Sequence, residues 1–243
     1  MVDVGAHALP LVLAAAVVII IVTYGMAWIY VRRKARERVG DECALMVVLG
    51  SGGHTAEMLK LVQSFPDAEL AETTKEGRRL RGTGTAAKVP PSEITYPRCY
   101  VVAQTDSLSA SKALRLEGED VKDRVRVETI PRSREVGQSY LTSCLTTINA
   151  ICFAIPVVAK NQPKLLLVNG PGTCLPLCIV ARVLQVLRLA RTRIVYVESI
   201  ARVTSLSLTG KLLHAFRIAD RLLVQWPELA ERHRNTAYVG RLV

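Results

Sequence analysis

The residues best suited to chemistry stand together in one short stretch, Gly50–Thr55, where three glycines in four positions are followed by His54. An apolar run, 45–49, precedes this stretch, and residues 56–62 have helical spacing. Glycines let a backbone come close to a ligand, and the unpaired N–H groups at a helix start attract anions. The stretch therefore predicts a phosphate or diphosphate site, with a tight turn that holds no ligand as the alternative.

The stretch does not match the two common nucleotide-binding fingerprints. In the dinucleotide pattern that begins at Gly50 and Gly52, the third glycine would fall at Thr55. A P-loop requires Gly-Lys followed by Ser or Thr, and here His54 and Thr55 occupy those positions. A nucleotide-dependent oxidoreductase is therefore disfavoured.

Two residues are candidates for acid–base chemistry. His54 lies at a predicted helix start, which favours the neutral imidazole, and a neutral imidazole can accept a proton from a hydroxyl group. It could equally cap the helix or hydrogen-bond the loop. Glu198, after a later predicted strand, could contact a hydroxyl group or act as a base, or it could pair with Arg202.

The elements that must position these residues alternate between apolar strands and helical segments. The predicted strands are Ala44–Leu49, Cys99–Ala103, Val125–Ile130, Leu165–Val168, Ile194–Val197, Leu222–Gln225 and Ala237–Val239. Continuous apolar strands separated by helices are typical of a parallel sheet that is covered on both faces. The sequence predicts an α/β, Rossmann-like domain.

In an open parallel sheet, ligands bind beyond the carboxyl ends of the strands. The residues that follow the predicted strands are therefore the candidate ligand contacts: Ser51, Gly52, Gly53, Thr55, Arg132, Arg134, Asn169, Gly170, Gly172 and Thr173. Two glycine loops at helix starts and two arginines suit an anion with more than one phosphate, although both arginines could be solvated loop residues. Asp106, which also follows a predicted strand, is a further candidate, or it could do no more than cap the helix that follows it.

The amino-terminal segment predicts a membrane anchor. Ala8–Tyr30 contains no charged residue, and its 23 residues would form a helix about 34 Å long, enough to cross the hydrocarbon core. A basic cluster at 32–38 follows, which places the rest of the chain in the cytosol. A cleaved signal peptide would carry positive charge before the apolar run, but Met1–Ala8 has no Lys or Arg.

Charge and composition limit the classes of partner that this chain is expected to bind. The net charge of +11 suits an anionic membrane face and a diphosphate substrate, whereas an aromatic content of 5% is poor for stacking nucleic acid bases. The six cysteines form no C-x-x-C pair and have no histidine at zinc-ligand spacing, so free thiols and no metal site are expected.

The chain divides into two parts. Residues 1–40 form the predicted anchor with its basic juxtamembrane segment, and 41–243 form one cytosolic domain. Within that domain, 66–97 is predicted to be a partly mobile insertion because its charge, Gly and Pro content lacks periodicity. The uncharged stretch 136–159 is predicted to be a buried crossover helix, with shallow membrane contact as the alternative.

Several ordered motifs resemble one known family. They are Gly50-Ser51-Gly52-Gly53-His54-Thr55-Ala56-Glu57-Met58, Ile130-Pro131-Arg132-Ser133-Arg134-Glu135-Val136-Gly137-Gln138-Ser139, Asn169-Gly170-Pro171-Gly172-Thr173-Cys174, Tyr196-Val197-Glu198-Ser199, Leu206-Ser207-Leu208-Thr209-Gly210-Lys211, Val224-Gln225-Trp226-Pro227 and Tyr238-Val239-Gly240. From about Ala44 onward, the chain resembles the membrane-anchoring subunits of the eukaryotic dolichyl-diphosphate N-acetylglucosaminyltransferase.

The resemblance implies the acceptor-side half of a GT-B glycosyltransferase. A separate cytosolic subunit would bind UDP-N-acetylglucosamine (UDP-GlcNAc), and the two subunits would add the second GlcNAc to dolichyl-diphosphate-GlcNAc at the cytosolic face of the endoplasmic reticulum membrane. No cofactor and no nucleic acid are implied. A purely structural membrane adaptor, whose partner does all the chemistry, is the alternative.

The resemblance also implies roles for the candidate residues. The 51–55 and 169–173 loops would meet the acceptor diphosphate and sugar, while Arg132 and Arg134 would help to hold phosphate. His54, with Glu198 as the alternate, would assist the attacking hydroxyl. The apolar end, Leu242 and Val243, is predicted to dock on the partner subunit, with a frayed terminus as the alternative.

Overall fold

The computed structural model of the 243-residue chain describes residues 43–64, 96–119, 121–133, 138–170, 172–238 and 240–241. The predicted anchor, nearly all of the 66–97 insertion, Arg134, Leu242 and Val243 lie outside these residues. Within the described ranges, no helix is both long enough and apolar enough to cross a membrane.

The described part of the chain builds a seven-stranded, fully parallel sheet. Its strands are β1 (Leu45–Val48), β2 (Arg98–Ala103), β3 (Val125–Ile130), β4 (Leu165–Asn169), β5 (Arg193–Val197), β6 (Arg221–Val224) and β7 (Thr236–Tyr238). The predicted Rossmann-like α/β class is confirmed, and each predicted strand is present within one residue of its expected bounds.

Helices connect the strands and cover both faces of the sheet. They are α1 (Gly53–Gln63), α2 (Ser107–Glu117), α3 (Tyr140–Asn161), α4 (Cys174–Val186), α5 (Leu208–Ala215) and α6 (Pro227–Arg232), with a short 3-10 turn at Lys122–Arg124 before β3. Asp106 caps α2 through its carboxylate by accepting a hydrogen bond from the N–H of Ser109.

Successive side chains of a strand point to opposite faces of the sheet, and this produces two hydrophobic cores, one on each side. Met46 of β1 packs with Leu177 of α4 on one side, whereas its neighbour Val47 packs with Met58 of α1 on the other. All four side chains are buried. The central strands β1 and β4 are almost continuous apolar runs because both of their faces are covered.

The uncharged stretch 136–159 contributes most of α3, which crosses from β3 to β4. Ala150, Ala154 and Val158 are buried, whereas Leu145 and Ile148 are exposed. The predicted crossover helix is therefore confirmed, and contact between its outer face and a membrane surface stays a prediction.

Four cysteines pack as small apolar residues, as expected. Cys43, Cys99, Cys174 and Cys178 are buried free thiols. Burial raises the pKa of Cys43 to about 11 and the pKa of Cys174 to about 12, because a thiolate is poorly solvated in the interior. These groups are therefore protonated at neutral pH and are poor nucleophiles and poor metal ligands.

Candidate functional site

The strand order places a crevice above β1 and β4. The sheet runs β3-β2-β1-β4-β5-β6-β7, so the chain builds outward from β1 in one direction and then crosses back to continue from β4 in the other. The loops that follow β1 and β4 therefore leave the sheet at its switch point, where doubly wound domains bind ligands. Both glycine loops predicted to bind a ligand lie at this point.

The first glycine loop leaves open space at the start of α1. Gly52 has a φ of 64°, and no side chain caps the helix. Ser51, Gly52 and Gly53 are exposed, and a Cβ added at either glycine would meet nothing within 4 Å. The first N–H groups of α1 therefore face open space, which is what an anion such as a phosphate requires.

Thr55 supports this loop from below. Its side chain is fully buried, and its hydroxyl donates a hydrogen bond to the carbonyl of Gly50. The same oxygen lies 2.7 Å from Oγ of Ser109, which in turn donates to Asp106 over 2.7 Å. Thr55 thus ties the loop to α2 and does not present its hydroxyl to a ligand, in contrast to its predicted role.

The two glycine loops meet through His54. Nδ1 of His54 lies 3.0 Å from Oδ1 of Asn169, the last residue of β4. Gly170 has a φ of 67°, and a Cβ built on it would stand 2.5 Å from Nδ1 and from Cε1 of the histidine ring. The fold therefore brings His54, Asn169 and Gly170 together, and the ring occupies the space that a side chain at position 170 would need.

Gly170→Ala tests this contact. We expect the free energy of unfolding to fall by about 2 kcal/mol or more, because a non-glycine residue at this φ costs roughly 1–2 kcal/mol and the new methyl group collides with the ring. Gly172→Ala is the matched control in the same loop, where a Cβ meets nothing within 4 Å. Denaturant unfolding of the purified chain measures both, and equal losses in the two variants would contradict the proposed contact.

Two polar residues that sequence reasoning did not select complete the arrangement. Oε2 of Glu57 accepts a hydrogen bond from Nδ2 of Asn169 over 2.9 Å. Oε1 of Glu57 accepts a hydrogen bond from Oγ of Ser199, also over 2.9 Å. One signal was present in the sequence, since Glu57 stands one helical turn after His54. Ser199 follows β5 and is the last residue of one of the ordered motifs.

The loop after β3 adjoins the second glycine loop. Oγ of Ser133 donates to the carbonyl of Gly172 over 2.9 Å, and Oγ1 of Thr146 in α3 donates to the carbonyl of Ser133 over 2.6 Å. Arg132, which precedes Ser133, is half-buried. Arg132 thus lies in the loop that contacts the second glycine loop, and its binding of phosphate stays a prediction. Thr173 is buried at the start of α4.

Glu198 is fully buried and holds the segment that leads into α5. Its carboxylate accepts hydrogen bonds from the hydroxyl of Tyr196 (3.2 Å) and the N–H of Ser199 (3.1 Å). It also accepts from the N–H and the hydroxyl of Ser207, over 2.9 and 3.1 Å. These four donors occupy both carboxylate oxygens. Pairing with Arg202 is therefore not what holds Glu198, and its predicted contact with a substrate hydroxyl would require these bonds to break.

The buried carboxylate of Glu198 also affects the pKa of its neighbour Tyr196. Burial, reinforced by the negative charge of Glu198, raises the pKa of Tyr196 well above its usual range. Tyr196 therefore stays protonated and remains a hydrogen-bond donor at physiological pH.

The carboxy-terminal end of the described chain lies near the same edge of the sheet. The guanidinium carbon of Arg241 stands 4.6 Å from the centre of the Trp226 ring, and Trp226 follows β6. Nε1 of Trp226 donates to the carbonyl of Ile200 over 2.7 Å. The residues before Leu242 and Val243 are therefore held beside the loop after β5.

Fold and site together define a doubly wound α/β domain with a polar ligand crevice at its switch point. An uncapped helix start, a histidine and an amide face one another there, which suits an anionic ligand that carries a hydroxyl group. The family model described as "Oligosaccharide biosynthesis protein Alg14 like" matches residues 86–242, and the chain belongs to this family. The resemblance drawn from the sequence motifs is thereby confirmed.

The sequences of known relatives align with most of this chain. The proteins named UDP-N-acetylglucosamine transferase subunit ALG14 from Rattus norvegicus and Yarrowia lipolytica are 41% and 40% identical to it over 206 and 202 residues. These alignments cover 82% of this chain in each case and 82% and 81% of those proteins. The human protein of the same name is 37% identical, with 84% of each chain covered.

A solved structure of MurG from Acinetobacter baumannii superposes with a TM-score of 0.49 at 12% sequence identity. The superposition covers 80% of this chain and 44% of MurG. A likeness at this TM-score adds nothing to the family assignment.

Proposed function

We propose that this chain is the acceptor-binding and membrane-anchoring subunit of a two-subunit UDP-GlcNAc transferase. The complex would add the second GlcNAc to GlcNAc-diphosphate-dolichol during assembly of the N-glycan precursor. Its relatives carry the name of subunits of a UDP-N-acetylglucosamine transferase, which supports this reading. The observation that carries the proposal is the contact between His54 and Asn169 across the two glycine loops.

The crevice matches the chemistry of such an acceptor. A lipid-linked diphosphate presents negative charge, which the open N–H groups at the start of α1 can bind. Arg132, in the loop after β3, is proposed to add a second contact to phosphate. The sugar beyond the diphosphate carries the hydroxyl that attacks the donor. His54 stands between the two glycine loops and can accept the proton of that hydroxyl. Arg134, outside the described residues, is proposed to share the phosphate contact.

The donor side of the reaction is assigned to a partner. The described residues form one sheet with one switch-point crevice, whereas a GT-B glycosyltransferase requires two Rossmann-like halves. We assign the UDP-GlcNAc half to a cytosolic subunit that docks near Leu242 and Val243. Arg241, just before these two residues, packs on Trp226 near the carboxyl ends of the strands. A partner docked there would therefore lie close to the crevice.

Localisation follows from the predicted anchor. The uncharged segment 8–30 and the basic cluster after it would hold the domain at the cytosolic face of the endoplasmic reticulum membrane. An acceptor embedded in that membrane and a soluble donor would then meet at the domain surface.

A reconstituted transfer assay tests the proposal. The full chain, purified in detergent, is mixed with radiolabelled UDP-GlcNAc and a short-chain lipid diphosphate that carries one GlcNAc, with and without the partner subunit. We expect product only when both subunits are present. In a separate binding assay in which the lipid diphosphate carries the radiolabel, we expect the full chain alone to bind the acceptor. Transfer by the chain alone would refute the split enzyme, and failure to bind the acceptor would refute the acceptor-side assignment.

A further inference from the structure

A chain of hydrogen bonds links His54 to the backbone after β5, and the donors at both of its ends point toward Glu57. The N–H of Ala201 donates to Oγ of Ser199 over 3.3 Å, and Oγ of Ser199 lies 2.9 Å from Oε1 of Glu57. A backbone N–H can only donate, so the hydroxyl proton of Ser199 is left to point at Glu57. The first link of the chain therefore has one direction.

The next link fixes the orientation of an amide. An ionised carboxylate can only accept hydrogen bonds, so the group of Asn169 that faces Oε2 of Glu57 must be its NH₂. The amide oxygen of Asn169 then faces His54, 3.0 Å from Nδ1. An amide oxygen can only accept, and Nδ1 must therefore carry a proton.

The imidazole tautomer follows from this orientation. A neutral imidazole has one N–H, so a proton on Nδ1 leaves Nε2 with a free lone pair. Nε2 has no hydrogen-bond partner among the residues that the structure describes. The side chain of His54 is 36% exposed, which leaves the ring accessible from the crevice.

Glu57 acts on the histidine through Asn169 and not directly. Oε2 of Glu57 lies 3.9 Å from Nδ1 of His54, too far for a hydrogen bond, and Asn169 bridges the two groups. Asn169 is 1% exposed, and the side chain of Glu57 is 13% exposed. Water therefore has little access to compete for the bonds that set the amide orientation.

We propose that Glu57 is a positioning residue that holds His54 in the Nδ1–H tautomer through the amide of Asn169. Nε2 is then the basic atom that faces the acceptor. The chemical consequence rests on the proposed function, whereas the tautomer does not. In the transfer step, the acceptor hydroxyl gives its proton to Nε2 and its oxygen bonds to the anomeric carbon of the donor sugar. UDP leaves with the electron pair of the broken bond.

Nitrogen NMR of the full chain in detergent, labelled with ¹⁵N at histidine, tests the tautomer. Spectra are recorded at a pH at which the ring is neutral, and the His54→Ala variant assigns the His54 signals. We expect the native ring to show a protonated Nδ1. We expect Glu57→Leu to shift the population toward the Nε2–H form. Without the Glu57 carboxylate, the side-chain amide of Asn169 is free to rotate and to present its NH₂ group to Nδ1.

Glu57→Gln is the conservative variant. Its carbonyl can still accept from Asn169 while its amide group donates to Ser199, so we expect the native tautomer to persist. With the partner subunit present, we expect kcat to fall by at least about tenfold for Glu57→Leu and by less than about threefold for Glu57→Gln. We expect the KM for the lipid acceptor to stay nearly constant in both.

The outcomes separate this proposal from the assigned function. A native tautomer that survives in Glu57→Leu overturns the role of Glu57, whatever the activity. Loss of the native tautomer in Glu57→Gln overturns it as well, because the charge and not the orientation would then matter. A shifted tautomer in Glu57→Leu with turnover intact supports the positioning role and refutes His54 as the base.

Discussion

Replacing His54 with alanine is expected to lower kcat/KM for sugar transfer by about 10²–10⁴-fold, the usual contribution of a positioned general base. The ring is held by Asn169 and by the absence of a side chain at Gly170, and alanine removes the proton acceptor without disturbing the sheet. The measurement is initial transfer rate in the reconstituted two-subunit complex, with complex formation checked by co-purification.

His233→Ala is the matched control for this variant. His233 precedes β7, so it lies at the amino ends of the strands, opposite to the crevice. We expect transfer by His233→Ala to stay within about twofold of the native rate, as is usual for residues away from a site. Unchanged transfer by His54→Ala in an intact complex would contradict the proposed base and would favour a purely structural adaptor.

The second large effect is expected on stability. Glu198→Ala removes the acceptor of four hydrogen bonds. The backbone N–H groups of Ser199 and Ser207 then lose their partner, while the hydroxyls of Tyr196 and Ser207, 2.8 Å apart, keep only each other. Each unsatisfied buried donor costs about 1–3 kcal/mol, so we expect the free energy of unfolding to fall by about 3 kcal/mol or more. For a domain of this size, the melting temperature should fall by at least about 6 °C.

Thermal unfolding of the detergent-solubilised chain measures this loss. Glu228→Ala is the control, because Glu228 is an exposed acidic residue in α6, and it should melt within about 2 °C of the native chain. If Glu198→Ala melted like the native chain but had lost transfer activity, the structural role would be refuted. Glu198 would then return as a candidate base.

Much of the architecture could be predicted from local patterns. The run 44–49 predicts a strand, and β1 (Leu45–Val48), with all four residues buried, lies within it. Strand prediction succeeded because a strand buried on both faces must be apolar throughout, and that constraint is visible in the sequence. The glycine loops were recognisable for a similar reason, since the positive φ of Gly52 and of Gly170 favours glycine.

The fine structure of the site could not be predicted in this way. Thr55 and Glu198 stood in the right loops, but burial turned their side chains into supports for those loops. Glu57 contacts Asn169 and Ser199, which lie 112 and 142 positions further along the chain. Spacing along a sequence cannot reveal such contacts, because they depend on which strands become neighbours.

The sequence by itself determined the class of fold, the edge of the sheet that carries the candidate site, and the family. Each of these follows from periodicity, glycine placement or ordered motifs, which are local properties. The tertiary structure alone decided which polar groups face the crevice, which lie beneath it, and which hold His54. The physical reason is that pairing β1 with β4 brings distant loops together, and only then is each side chain either buried against a partner or left open to a ligand.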